Sequence, residues 1–249
     1  MSILPIPRLR PDRPEDFPPP SRALDEPNGL LAWGGDLSPR RLLAAYRRGI
    51  FPWYSEGEPL LWWSPDPRLV FDTDGIHLSS RFRRELRRCP WTVRADTCFW
   101  EVIRSCAMAP RPGQDGTWIT PEIQAAYAGL HRLGHAHSIE VFDGERLVGG
   151  LYGVAVGRLF CAESMFSGQS GASKVALAAL GRILSGWSWP WIDAQVENPH
   201  LRFLGGRAIP RQDFLARLPA LVDAGGRLGP WTAAVGAIPA ASLTQAPAA

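Results

Sequence analysis

Two short apolar runs are each interrupted by groups that can do chemistry: Glu163 in 158–167 (RLFCAESMFS), and Asp193 with Gln195 in 191–196 (WIDAQV). Each run is bounded by Gly or Pro signals and reads as a buried strand of an α/β domain. Period-2 alternation puts Asp193 and Gln195 on the same strand face. Polar groups on a buried strand need partners, so these three form either a reaction site or a satisfied structural network. A neutral amide is a very poor base, so the set suits orientation and electrostatic stabilisation more than strong proton abstraction. Between the runs lie a turn at 168–173 and a helix at 174–185. The chemistry is expected here.

Other constellations are weaker. There is no G-x-G-x-x-G, P-loop or nucleophile elbow. His131, His135 and His137 with Cys98 and Cys106 match no zinc spacing, and the histidines straddle an expected helix end and strand start, so no metal is expected. Cys161 lies inside an apolar strand without a cationic neighbour in sequence and reads as an inert thiol. Cys89, Cys98, Cys106 and Cys161 lack paired spacing, which favours reduced thiols in a cytoplasmic protein. No run is long enough to span a bilayer, and the N-terminus has prolines and charges where a signal peptide needs an apolar stretch. The 249 residues carry a formal charge of only +3, and Lys174 is the single lysine among many arginines. Codon bias explains most of that, but a lone lysine also marks a place for a compact ammonium.

The elements that must position these groups are legible in order. Residues 1–28 are a Pro-rich, extended lead-in. A small N-terminal domain is expected at 29–72. It contains a strand at 29–35, a helix opened by Ser38-Pro39 and stopped by Gly49, and Pro-broken aromatic stretches at 50–54 and 60–67. Trp53, Trp62 and Trp63 suit core or interface packing better than stacking on a base. After a linker near 70–75, a larger domain is expected at 73–235. Its first helix, 79–88 (SSRFRRELRR), carries Arg81, Arg83, Arg84, Arg87 and Arg88 around an apolar anchor of Phe82 and Leu86. That surface is either a solvated face or a phosphate-binding one. A strand at 92–95, a helix at 97–108, a loop at 109–116, a helix capped by Thr120-Pro121 and a hairpin at 138–156 lead to the central strand. A turn at Asn198-Pro199, a helix near 211–224 and a disordered Ala/Pro-rich tail at 236–249 complete the chain.

Hairpin, central strand, turn, helix and next strand together resemble an acyl-CoA N-acyltransferase fold. The fold class is therefore α/β (α+β), with a small N-terminal domain and an acyltransferase-like C-terminal domain on a mixed sheet. That superfamily grips pyrophosphate with an Arg/Gln-x-x-Gly-x-Gly/Ala turn. Here the turn is Gln169-Ser170-Gly171-Ala172-Ser173-Lys174, a poor match, and no cofactor is expected. From about residue 30 to 218 the chain resembles the bacterial leucyl/phenylalanyl-tRNA–protein transferase family. The carriers are GLLAWGGDLSP (29–39), GIFPWY (49–54), LWWSPDPR (61–68), GTWITPE (116–122), AHSIEV (136–141), LVGGLYGVAVG (147–157), ESMFS (163–167), ASK (172–174), IDAQV (192–196) and IPR (209–211). Gly168 stands where the family usually has Arg, Ala194 where it usually has Cys, and Phe203-Leu204-Gly205-Gly206 replaces Ser-Leu-Gly-Ala.

The resemblance implies transfer of Leu or Phe, and less often Met, from aminoacyl-tRNA to proteins or peptides with an N-terminal Arg or Lys, marking them for N-end-rule degradation. It implies no metal or coenzyme; a cytoplasmic monomer without membrane contact is expected. The catalytic residues would be Asp193, Gln195 and Glu163. Gln195 positions the attacking amine or the carbonyl, Asp193 polarises it and attracts the cationic acceptor, and Glu163 holds the donor's α-ammonium. An apolar aminoacyl pocket is expected from Trp53, Trp118, Leu151, Met165, Leu177 and Ile192. The five arginines of 79–88 and Lys174 would bind tRNA. An acyl-CoA-dependent N-acyltransferase and a non-catalytic RNA-binding module are the alternatives. The poor coenzyme turn argues against the first, and an apolar pocket ending in Asp193/Gln195 against the second.

Overall fold

The computed structural model describes residues 6–110 and 117–245. Most of the loop expected at 109–116 lies outside the described residues, as do the outermost parts of the lead-in and tail. The first unit is a four-stranded sheet, β1 (Arg8–Leu9), β2 (Leu30–Gly34), β3 (Phe51–Pro52) and β4 (Leu61–Trp63), in the order β1-β2-β4-β3, with α1 (Pro39–Tyr46) beside it. Ser38 starts α1 by accepting the Arg41 N–H on its hydroxyl, with Pro39 at the first helical position. Trp62 is fully buried, and its indole N–H donates to the Gly34 carbonyl at 2.9 Å. The lead-in is more than an extended approach: β1 pairs with β2 in parallel, and Leu9 and Phe17 enter the core.

The second unit is built on eight strands: β5 (Arg68–Asp72), β6 (Thr92–Ala95), β7 (Ala136–Asp143), β8 (Arg146–Val156), β9 (Leu159–Ser167), β10 (Trp191–Gln195), β11 (Arg207–Ile209) and β12 (Ile238–Pro239). Their order is β11-β5-β10-β9-β8-β7-β6-β12. Neighbours are antiparallel except β9 and β10, which run parallel and are joined by the helix α5. The helices are α2 (Ser80–Leu86), α3 (Phe99–Met108), α4 (Pro121–Arg132), α5 (Ala172–Gly186), α6 (Pro199–Phe203), α7 (Arg211–Val222) and α8 (Thr232–Val235). The sheet is covered on both faces. Tyr127 of α4, Val102 of α3 and Phe214 of α7 join the N-terminal unit in one core, while α5 packs with Trp189 and Trp231 in another. β7 is accordingly buried along almost its whole length.

Two expectations are corrected. The first half of the linker near 70–75 belongs to the strand β5, with Arg68–Phe71 buried between β10 and β11. Its Pro-broken approach (SPDP) hid a β-prone run that the sheet takes up. The tail is ordered through residue 245: β12 pairs with β6, a short 3-10 helix (Ala240–Thr244) follows, and Ala240 is fully buried. An Ala/Pro composition weakens local structure, but here the sheet and α5 supply what the segment lacks. Deleting residues 237–249 should therefore destabilise the fold by about 2 kcal/mol, roughly 5 °C in thermal midpoint. Calorimetry of the truncated chain checks this.

Candidate functional site

The central feature is a parting of strands. β9 and β10 are paired only at Trp191–Leu159, Ile192–Phe160 and Asp193–Cys161. Beyond that point β9 continues along β8, β10 continues along β5, and a cavity of about 410 Å³ opens where they diverge. Ala162, Glu163, Ser164 and Met165 form one wall, and Ala194, Gln195, Val196, Glu197 and Asn198 the other. Leu151 and Leu177 contribute from β8 and α5, and Phe51, Pro52 and Trp53 from the N-terminal unit. Trp53 is braced by the Trp63 indole, which donates to its carbonyl at 2.6 Å.

Both divergent strands carry a β-bulge at the mouth. On β9, Tyr152 faces Ser164 and Gly153 faces Ala162, so Glu163 is the extra residue. A side chain at Gly153 would strike the Cys161 carbonyl, so glycine is required opposite the bulge. On β10, Asp193 faces Val70 and Gln195 faces Leu69, so Ala194 is extra, and Gln195 takes the left-handed backbone conformation, φ 62°. Bulges re-aim side chains. Strict alternation, which puts Asp193 and Gln195 on one face, therefore fails here. Gln195 and Glu163 reach the cavity wall, while Asp193 is fully buried and not part of it.

Asp193 is instead gripped by Arg68. The guanidinium donates from Nε to Oδ1 at 2.8 Å and from Nη2 to Oδ2 at 2.6 Å, and its Nη1 donates to the Gly49 carbonyl at 3.1 Å. Burial works against the Arg68 charge, but Asp193 more than offsets this and raises its pKa. Phe51 and Phe214 flank the guanidinium, with ring centroids 5.0 and 4.8 Å from Cζ. Asp193 Oδ1 also accepts the backbone N–H of Gln195 at 3.0 Å, which holds the bulge in place.

The second network hangs on Glu163. Gln195 Nε2 donates to its Oε1 at 2.8 Å and Tyr127 Oη to its Oε2 at 3.0 Å, while Tyr46 hydrogen-bonds Tyr127. Burial pushes the Glu163 carboxyl up to about 7, against the lowering effect of Tyr46, Tyr127 and Gln195. Burial, and then the Glu163 charge, likewise raises both tyrosines well above the usual phenol range. Because Nε2 of Gln195 is committed to Glu163, its Oε1 is left as the acceptor for a ligand N–H.

Comparison with known proteins gives these residues a setting. The leucyl/phenylalanyl-tRNA protein transferase family model matches residues 70–219, and the model of the family's N-terminal domain matches 35–66. The chain belongs to the leucyl/phenylalanyl-tRNA protein transferase family. Proteins named leucyl/phenylalanyl-tRNA–protein transferase include one from Xanthomonas euvesicatoria pv. vesicatoria, 66% identical over 229 residues covering 92% of each chain. One from Xanthomonas oryzae pv. oryzae is 64% identical over 229 residues, again covering 92% of each chain. A third, from Xylella fastidiosa, is 63% identical over 214 residues, covering 86% of this chain and 88% of its own.

Within this family member, the structure brings Glu163, Gln195, Trp53, Trp118, Leu151, Met165 and Leu177 together around the cavity. It does not bring Ile192, which pairs with Phe160 and Phe71 and is wholly enclosed in the sheet. Lys174 lies in the first turn of α5, with its ammonium 5.6 Å from the Phe82 ring centroid. Phe82 also seats against Gly171, where a side chain would collide with it, so α2 docks on the start of α5 with all five arginines exposed. Among the described residues no group of three or more His, Cys, Asp or Glu is arranged to hold a metal, and no helix is long and apolar enough to cross a membrane. His137 is a buried partner of Asp96, 2.8 Å away, and stacks on Trp231. Burial, and then Asp193, raises the Cys161 thiol well above its ordinary range. Sequence reasoning missed Arg68, Tyr46 and Tyr127. Their signal was present: buried tyrosines and an arginine leading an apolar strand all demand polar partners.

Two outcomes follow. Arg68→Ala or Asp193→Ala each strands a buried charge and should cost about 3–5 kcal/mol, with the double variant losing much less than the sum. Urea unfolding of the three variants checks it. Glu163 has a folded pKa of about 7 against an ordinary 4.5, so its contribution to stability is full below 4.5 and is lost as pH rises through 7. Glu163→Gln should flatten the stability profile across that window. Glu140, also raised to about 7 by burial, leaves a residual slope in the variant.

Proposed function

We propose that the protein transfers leucine or phenylalanine, and less readily methionine, from the ester of an aminoacyl-tRNA to the α-amino group of proteins or peptides beginning with Arg or Lys. The observation that carries this reading is an apolar cavity ending on the Gln195–Glu163 pair, in a chain of this family. The donor side chain occupies the pocket of Trp118, Leu151, Met165 and Leu177. A thioether there adapts to branched and aromatic shapes, so discrimination among similar apolar chains is weak.

The ester is already activated, so the enzyme's task is to align a neutral amine with it. The amine attacks the carbonyl carbon, the C–N bond forms, the ester C–O bond breaks, and the amine's surplus proton ends on the ribose oxygen. An N-terminal amine has a pKa near 8, so a useful fraction is neutral at physiological pH. Gln195 Oε1 accepts from the attacking amine and fixes its approach. Glu163, held by Tyr127 and Gln195, faces the donor's α-ammonium. Asp193 works through Gln195: Arg68 already neutralises its charge, so it supports the bulge rather than attracting the acceptor. The exposed arginines of α2 track tRNA phosphates, with Lys174 at the helix they abut. This reading implies a cytoplasmic, monomeric enzyme that needs no metal or coenzyme.

Incubation with leucyl-tRNA and an Arg-starting peptide should give a peptide longer by one leucine, read by mass spectrometry. An Ala-starting peptide should stay unextended. Acetylation from acetyl-CoA in a parallel tube, without leucine transfer, would replace this reading with a coenzyme-dependent one. Gln195→Ala should lower turnover at least about tenfold while leaving aminoacyl-tRNA binding near wild type. Replacing Arg81, Arg84 and Arg88 by Ala should raise the tRNA KM and flatten the salt dependence of binding, with turnover at saturating tRNA spared.

A further inference from the structure

The acceptor presents a terminal amine, which reacts as the neutral base, and a cationic Arg or Lys side chain, which needs an anion within the site. Three carboxylates surround the cavity end of β10. Asp193 is enclosed and neutralised by Arg68, and both oxygens of Glu163 already accept hydrogen bonds. Glu197 is different. It lines the cavity two residues beyond Gln195, its side chain is 37% exposed, and Arg202 Nε donates to its Oε1 at 2.7 Å. Oε2 has no hydrogen-bond partner among the described residues. No lysine or arginine among the described residues lines the cavity.

The position of Glu197 is built rather than loose. Asn198 caps α6 by accepting the Leu201 N–H at 2.9 Å, and the helix carries Arg202 back toward the carboxylate. We infer that Glu197 is the specificity residue for the acceptor, receiving its cationic side chain on Oε2 while Gln195 receives its amine. The inference rests on the transfer reading above and adds the residue that makes the acceptor's charge matter. A guanidinium or an ammonium pairs with it, whereas a neutral side chain of equal size leaves Oε2 to water and gains no charge-assisted contact.

The test compares peptides that start with Arg and with citrulline, which has nearly the same shape and no charge, using leucyl-tRNA as donor. Wild type should prefer Arg in kcat/KM. Glu197→Gln should shrink that preference about three- to fivefold, the scale of a part-exposed charge pair, with KM for leucyl-tRNA unchanged. Glu197→Asp keeps the charge and should retain most of the preference. An Arg-to-citrulline ratio in Glu197→Gln equal to wild type, or an equal fall in Glu197→Asp, overturns the inference while leaving transfer itself intact. Failure of wild type to extend the Arg peptide at all overturns the transfer reading instead, and the inference with it.

Discussion

The buried pair of Arg68 and Asp193 is the constraint on which the rest of this site depends. Neither charge has access to water, so each is tolerable only because the other is in place with the right geometry. Arg68 reaches three kinds of partner at once: the carboxylate on β10, the Gly49 carbonyl between α1 and β3 of the first unit, and the rings of Phe51 and Phe214. The guanidinium therefore fixes how the small sheet sits against the large one. Such a pair is weak evidence for net stability, since apolar residues of the same volume can do as well. Its value here is placement, because Asp193 also holds the Gln195 backbone in a conformation unusual for a residue with a side chain.

Above that pair sits a second polar layer with another logic. Glu163 is surrounded by phenols and an amide, which satisfy its oxygens without cancelling its charge. Burial pushes its carboxyl up to about 7, the hydrogen bonds from the phenols and the amide pull the other way, and the nearby Asp193 charge adds to the rise. The two layers divide the work: one carboxylate is spent on architecture, and the other stays chemically responsive at the cavity wall. Tyr46, at the end of α1, extends this layer into the first unit, which so takes part in the site through a hydrogen bond as well as through Phe51 and Trp53.

Much of this was legible in the sequence. The runs around Glu163 and Asp193 are β9 and β10, the helix between them is α5, and five of the six residues expected in the pocket line the cavity. What failed was strand alternation beyond its range of validity. A bulge inserts one residue without any marker in composition, and Ala194 looks like any small residue between two polar ones. Ile192 fails for a different reason: it lies before the strands part, paired with Phe160 on one side and Phe71 on the other, so the sheet encloses it. β5 was missed because proline residues in its approach suggested a break, and β12 because its pairing comes from the sheet rather than from local preference. Long-range partners such as Arg68, 125 positions from Asp193, leave no trace in spacing.

One feature of the topology bears on how the molecule behaves in a crowded solution. The eight-stranded sheet ends on β11, three residues long, and on β12, two residues long and containing Pro239. Proline removes an amide donor, and strands this short offer almost no row of free N–H and C=O groups. The long apolar strands β7, β8 and β9, which would be the hazardous ones if uncovered, lie in the interior of the sheet. The C-terminal segment thus acts as a guard rail. Loss of β12 would bare the margin of β6 and give another chain a place to extend the sheet, so a defect at 238–239 would show as self-association rather than as a damaged cavity.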